Sequence, residues 1–259
     1  MIALALRQGE IEFKQFLRTR EAFVFTLLFP TMILLIFGAI FQGEINGVSF
    51  KQYFAAGMIA SGLLSSGFQN LAITIPIERD RGVLKRFRST PMPKWVFFAG
   101  KIIQVALIGL LETALLLFVG SFYGLRMPDT VEKWLTFGWV WFLGLTACTL
   151  LGIAFTAAAR TGRSGPAVVT PIALILQFIS GVYFPFFQLP GWMQQIASLF
   201  PLKWMCQGMR SVFLPDSFAD SEATHSWELG RIAIVLGAWC VIGLVLSLVF
   251  FRWTTKRDG

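Results

Sequence analysis

Residues 96–122 read VFFAGKIIQVALIGLLETALLLFVGSF, and within them only Lys101 and Glu112 are charged. A helix rises about 1.5 Å per residue and a bilayer's hydrocarbon core is about 30 Å thick, so about 20 consecutive apolar residues cross it. This run is long enough to do so. Moving outward along the chain, five further blocks of the same kind stand at about 23–42, 53–77, 134–158, 167–184 and 229–251. Short charged segments separate them. The reading is an all-α polytopic membrane protein with six transmembrane helices, forming one membrane domain over 1–259.

Composition agrees. The chain is 56% hydrophobic and 14% charged, with a mean hydropathy of +0.68. A soluble domain is nearer half apolar and a quarter charged. A net charge of +8 would suggest nucleic acid in a soluble protein, but here the positions of the charges decide otherwise. Fifteen of the 22 Lys and Arg fall on the side that holds the N-terminus, residues 78–95, Arg160, Arg163 and the tail with Arg252, Lys256 and Arg257. Six fall on the other side: Lys51, Arg126, Lys133, Lys203, Arg210 and Arg231. The positive-inside rule then places both termini in the cytoplasm. The basic surface faces the anionic inner leaflet rather than a nucleic acid.

Several chemistries lack their residues. No G-x-x-x-x-G-K-[ST] stretch exists to cradle a nucleotide phosphate. The single histidine, His225, lies in a predicted outer loop, which removes His-based triads and zinc sites from the membrane. The three cysteines form neither a C-x-x-C nor a Cys/His cluster. No catalytic residue, cofactor site or metal site is expected, so a channel or a transporter component remains.

Four features carry more specific information. Residues 1–22 are amphipathic: Leu6, Gly9, Phe13, Phe16 and Leu17 share one helical face, and Arg7, Glu10, Lys14 and Arg18 take the other. That pattern suits a helix in the membrane interface, or an ordinary charged N-terminus. Residues 78–95 are strongly basic; Val83, Leu84 and Phe87 define one side of a short helix that ends at Ser89, Thr90 and Pro91. Such a helix either lies on lipid headgroups or docks a cytosolic partner. Residues 185–214 are apolar but broken by Pro185, Pro190 and Pro201. Trp192, Ile196 and Leu199 share a face there, as in a re-entrant or interfacial helix, and Trp192 and Trp204 suit an outer aromatic belt.

The fourth feature is polar. In the second span Gly57, Ser61, Ser65 and Gln69 recur every four residues, and Gly144, Cys148 and Gly152 do so in the fourth. Such stripes either line a pathway or let helices pack closely. With Gln177 and Ser180 of the fifth span, Ser61, Ser65 and Gln69 are the candidate path residues. Glu112 at mid-membrane costs on the order of 3 kcal/mol if charged. Lys101 lies about 16 Å along the same helix, too far to pair with it. Glu112 must be protonated, meet a partner from another helix, or face water.

The stretch ERDRGVLKRFRSTP, residues 78–91, resembles the segment after the second span in type-2 ABC exporter permeases, through Glu78, Arg79, Gly82, Val83, Leu84, Phe87, Thr90 and Pro91. The stretch SGVYFPFFQLPGWMQQIASLFPLKW, residues 180–204, is similar to a second block of that family, through Ser180, Gly181, Phe184, Pro185, Leu189, Pro190, Trp192, Ile196 and Pro201. By size the chain looks like the short bacterial drug and antibiotic exporters of the daunorubicin-resistance kind; permeases for lipid-linked glycans share the architecture. The resemblance implies a subunit in the bacterial cytoplasmic membrane that pairs with a second copy or a homologous permease. The pair would sit on cytosolic ABC ATP-binding subunits that hold the ATP and Mg. Residues 78–91 would be the coupling helix, 1–22 the elbow helix, and 185–214 the extracellular re-entrant helices. An independent channel or secondary transporter is the competing class, which commonly carries paired intramembrane charges or inverted repeats.

Overall fold

The computed structural model describes residues 2–159, 161–222 and 224–253. Arg160, Lys256 and Arg257, three of the inner basic residues counted above, lie outside the described residues. The helices, in chain order, are α1 (Ile2–Arg18), α2 (Arg20–Ile40), α3 (Phe50–Asp80), α4 (Val83–Arg88), α5 (Lys94–Phe122) and α6 (Val131–Phe155). They continue with α7 (Ser164–Ile179), α8 (Gly191–Ser198), α9 (Pro201–Phe213) and α10 (Leu229–Phe250). A two-stranded hairpin, β1 (Glu44–Ile45) and β2 (Val48–Ser49), joins α2 to α3.

Among the described residues five helices, α2, α3, α5, α6 and α10, are long and apolar enough to cross a membrane. The remaining expected span, the fifth in chain order, is shorter. It begins at Ser164 and stops at Ile179, with 16 residues, rather than covering 167–184. Gly181 takes a left-handed φ of 79° there and Pro185 follows, so the helix ends in a turn. The link between the first two spans is a tight hairpin. Asn46 (φ 48°) and Gly47 (φ 80°) supply the two left-handed residues that such a turn demands.

α3 is central. Nearly all of it is buried, whereas α2 and α10 leave most of their side chains exposed. On α10 the exposed residues are apolar, among them Ile234, Val241, Val245, Leu248 and Val249. A lipid-facing helix is expected to look so, since lipid tails are as apolar as the side chains. α6 packs on α3 through its small residues: a Cβ on Gly67 would lie 2.8 Å from that of Cys148, and a Cβ on Gly152 would lie 2.8 Å from the Gly67 carbonyl oxygen. The Gly144–Cys148–Gly152 stripe is therefore a packing seam.

Two sequence expectations are corrected here. The face of α1 that is buried comprises Ala5, Gly9, Glu12 and Phe16, while Leu6 and Leu17 are exposed. The buried face lies along α5, because Gly9 and Gly100 let the helices approach: a Cβ on Gly9 would sit 2.5 Å from Ile103, and one on Gly100 2.5 Å from Gln8. The second correction concerns residues 185–214. Pro185 and Pro190 separate α7 from α8, and Pro201 opens α9 at its first position. α8 leaves Trp192, Ile196 and Leu199 exposed, but every residue of α9 is buried, Trp204 among them. Broken helices are tolerated at membrane depth where protein covers them. Trp204 is thus an internal residue, with Lys203 Nζ 3.7 Å over its ring, and not part of an aromatic belt.

Candidate functional site

The basic segment after α3 begins inside the protein. Glu78 and Arg79 are both buried, which corrects their expected place on a docking surface. Glu78 Oε1 accepts from Lys101 Nζ at 2.5 Å, and Lys101 also donates to Glu12 Oε2 of α1 at 2.7 Å. Gln8 donates to the other Glu12 oxygen at 2.9 Å. One fully buried ammonium thus ties α1, α3 and α5 together. A buried cation without its anions would be strongly unfavourable, so the three groups hold one another in place. Arg79 caps the end of α6, donating to the Ala159 carbonyl at 2.5 Å and the Thr156 carbonyl at 3.5 Å. Asp80 accepts from the Gly162 amide at 2.6 Å. Three helices, α1, α5 and α6, and the Gly162 amide therefore converge on the residues at the end of α3.

Gly82 then turns the chain with a left-handed φ of 75°. A Cβ there would meet nothing within 4 Å, so glycine is required by backbone conformation rather than space. α4 follows. Leu84 is buried and Phe87 packs on Phe97, with ring centroids 5.5 Å apart. Val83, Arg86, Arg88, Thr90 and Pro91 are exposed, so Val83 does not share the packed side with Leu84 and Phe87. The Thr90 hydroxyl donates to the Phe87 carbonyl at 2.7 Å and closes the helix.

The polar stripe of α3 divides. Ser61 is buried, while Ser65 and Gln69 are half-exposed on a helix that is mostly buried. Ile73 and Ile77 continue that half-exposed line at the same four-residue spacing. Ser65–Gln69 is a π-helical turn, a local widening that is common where helices carry function. Gln177 and Ser180 do not join this line. Gln177 is buried and accepts from the Tyr183 hydroxyl at 2.6 Å, and Ser180 is wholly buried. They belong to the last turn of α7 and the turn that follows it, which Arg210 of α9 clamps. Its guanidinium donates to the Gly181 carbonyl and lies 3.8 Å over the Tyr53 ring. Arg210 and Lys203, counted as outer basic residues, are thus internal.

Beside the stripe, Leu64 and Phe68 of α3 form one wall of a cavity of about 320 Å³ completed by α6, α7, α10 and residues 200–202. Leu151, Phe155, Leu176 and Trp239 contribute to a lining that is apolar throughout. The Trp239 indole is spent on the Leu199 carbonyl at 2.9 Å. Glu112 lies elsewhere, buried on α5 against Gly62 of α3. Among the described residues no cluster of His, Cys, Asp or Glu suits a metal ion.

Several long apolar helices thus surround a buried one that carries a polar stripe. The profile described as ABC-2 type transporter matches residues 9–214. The chain belongs to that family, whose membership implies an ABC ATP-binding partner and a membrane location. It is 23% identical over 231 residues to a putative transport permease, ycf38, of Cyanophora paradoxa, covering 87% of this chain and 78% of that protein. To the inner membrane transport permease YadH of Escherichia coli K12 it is 24% identical over 212 residues, covering 78% and 80%. To the probable multidrug ABC transporter permease YbhR of the same strain it is 20% identical over 168 residues, covering 64% and 45%.

Proposed function

We propose that this chain is the membrane half of an ATP-driven exporter, powered by a separate cytosolic subunit that holds ATP and Mg. The supporting observation is α4 and its root. A short helix presents Val83, Arg86, Arg88, Thr90 and Pro91 outward, and the residues from which it springs are fixed to α1, α3, α5 and α6 by buried polar contacts. A displacement of α4 by a docked ATPase therefore moves the helices as a unit. Gly82 is the one left-handed turn between docking helix and span. Val83→Asp and Arg86→Glu variants, reconstituted with the ATP-binding subunit, test this. The expected result is unchanged melting with loss of stimulated ATP hydrolysis; full stimulation in both variants overturns the docking role.

The path runs between this chain and a second permease copy or homologue, along the half-exposed line Ser65, Gln69, Ile73 and Ile77. A line of this kind on the most buried of the candidate spans calls for a protein or water neighbour, since polar groups facing lipid are unfavourable. The cargo is amphipathic or lipid-like, such as a drug or antibiotic. The apolar cavity beside Ser65 and Gln69 supports this, because small-molecule sites are mostly apolar with few polar groups. Export assays in vesicles with a panel of amphipathic drugs and lipid-linked glycans test the cargo. Transport of glycans alone would overturn the drug reading.

A further inference from the structure

Glu112 is buried to within 1% of full exclusion, and neither carboxyl oxygen has a hydrogen-bond partner. No cation among the described residues reaches it. Its neighbours on α3 are Gly62 and Ser66, neither of which titrates. α6 offers Trp141, which packs one turn away against Gly109 and whose indole is spent on Thr113 at 2.9 Å. The nearest charge on its own helix, Lys101, is committed to Glu12 and Glu78.

The space for the carboxyl is made by a missing side chain: a Cβ on Gly62 would fall 2.8 Å from Glu112 Oε1. Ser66, one turn further, donates its hydroxyl hydrogen to the Gly62 carbonyl at 3.0 Å. That leaves its oxygen with lone pairs only. A carboxylate accepts and cannot donate, so it gains nothing from Ser66. The acid form is neutral, so it puts no bare charge into this dry niche. The niche discriminates between the two forms by its dryness and by offering the charged form no donor.

We propose that Glu112, Gly62 and Ser66 form a proton-binding site between α3 and α5, occupied when the two helices are packed as they are here. Loss of that proton leaves a bare charge against Gly62. The helices must then part or admit water, so the site links one proton to the contact between the two spans.

An apolar carbodiimide tests this without any transport readout. Such a reagent adds to a carboxylic acid through the acid's own proton and stays attached as an N-acylurea, the adduct mass being that of the reagent with nothing lost. The intact permease in lipid nanodiscs is expected to gain one adduct, mapped to Glu112 by peptide mass. Labelling falls away in alkaline buffer, is absent in Glu112→Gln, and does not occur with a water-soluble carbodiimide. Glu112→Gln is expected to fold and melt like the parent, since its amide is neutral and nearly the same shape as the acid. Two results overturn the proposal: no Glu112 adduct at any pH in the folded protein although the denatured protein is labelled, or equal labelling by the water-soluble reagent.

Discussion

Lys101 Nζ lies 2.5 Å from Glu78 Oε1, and both groups are buried. Because Lys101 belongs to α5 and Glu78 to the end of α3, the contact fixes the root of the basic segment 78–95 to a spanning helix. With Glu12 as second anion, the ammonium is the junction at which α1, α3 and α5 meet.

Removing the cation should be worse than removing all three charges. Lys101→Met leaves two buried carboxyls without their partner, at a cost of about 3–5 kcal/mol. The triple variant Glu12→Gln, Glu78→Gln, Lys101→Met should recover most of that loss. Thermal melting of the detergent-solubilised proteins checks it; a triple variant no more stable than Lys101→Met would show that the groups do not act as one unit.

Gly82→Leu should weaken coupling through the backbone. A left-handed conformation costs an L-residue about 1–2 kcal/mol, and Asn tolerates it better. ATPase stimulation should therefore fall in the order glycine, asparagine, leucine. Equal stimulation in all three would remove any need for the φ of 75° at this position.

Ser61 and Ser65 should respond differently to tryptophan. Ser61 is buried within the helix core and Ser65 lies on the half-exposed line. Ser61→Trp should lower melting and impair assembly. Ser65→Trp should assemble and then block export or change which drugs are exported. Normal transport by Ser65→Trp and Gln69→Ala would show that the line borders nothing.

Gly152→Val should damage the α3–α6 seam, because its Cβ would press on the Gly67 carbonyl. Overpacking of this kind costs about 1–3 kcal/mol. Lowered melting with unaltered behaviour of Val83→Asp controls is the expected pattern.

Orientation can be read by single cysteines placed in a background without Cys148, Cys206 and Cys240. Asp220→Cys should react with an impermeant thiol reagent on intact cells, and Arg86→Cys only after permeabilisation. The reverse pattern would invert the topology.

The sequence determined, by itself, the class of architecture, the family, and most of the crossings. These follow from local quantities: the length of each apolar run against bilayer thickness, the positions of Pro and Gly, and the two motifs at 78–91 and 180–204. The short fifth crossing was less legible, because residues 180–184 are as apolar as a helix yet turn at Gly181. Tertiary structure alone decided which polar residues meet. Lys101 and Glu78 stand on different helices, and Glu12 on a third, so no spacing along the chain announces their contact. The same holds for Arg210, which reads as a topogenic charge but folds inward onto Tyr53 and Gly181. It also separates Ser65 from Ser61, and Gln177 from both, since the burial of a polar side chain depends on which helices close over it. Helices are written into the chain by periodicity, but their pairing is settled by packing, where one absent Cβ, as at Gly62 or Gly152, determines what another helix can bring near.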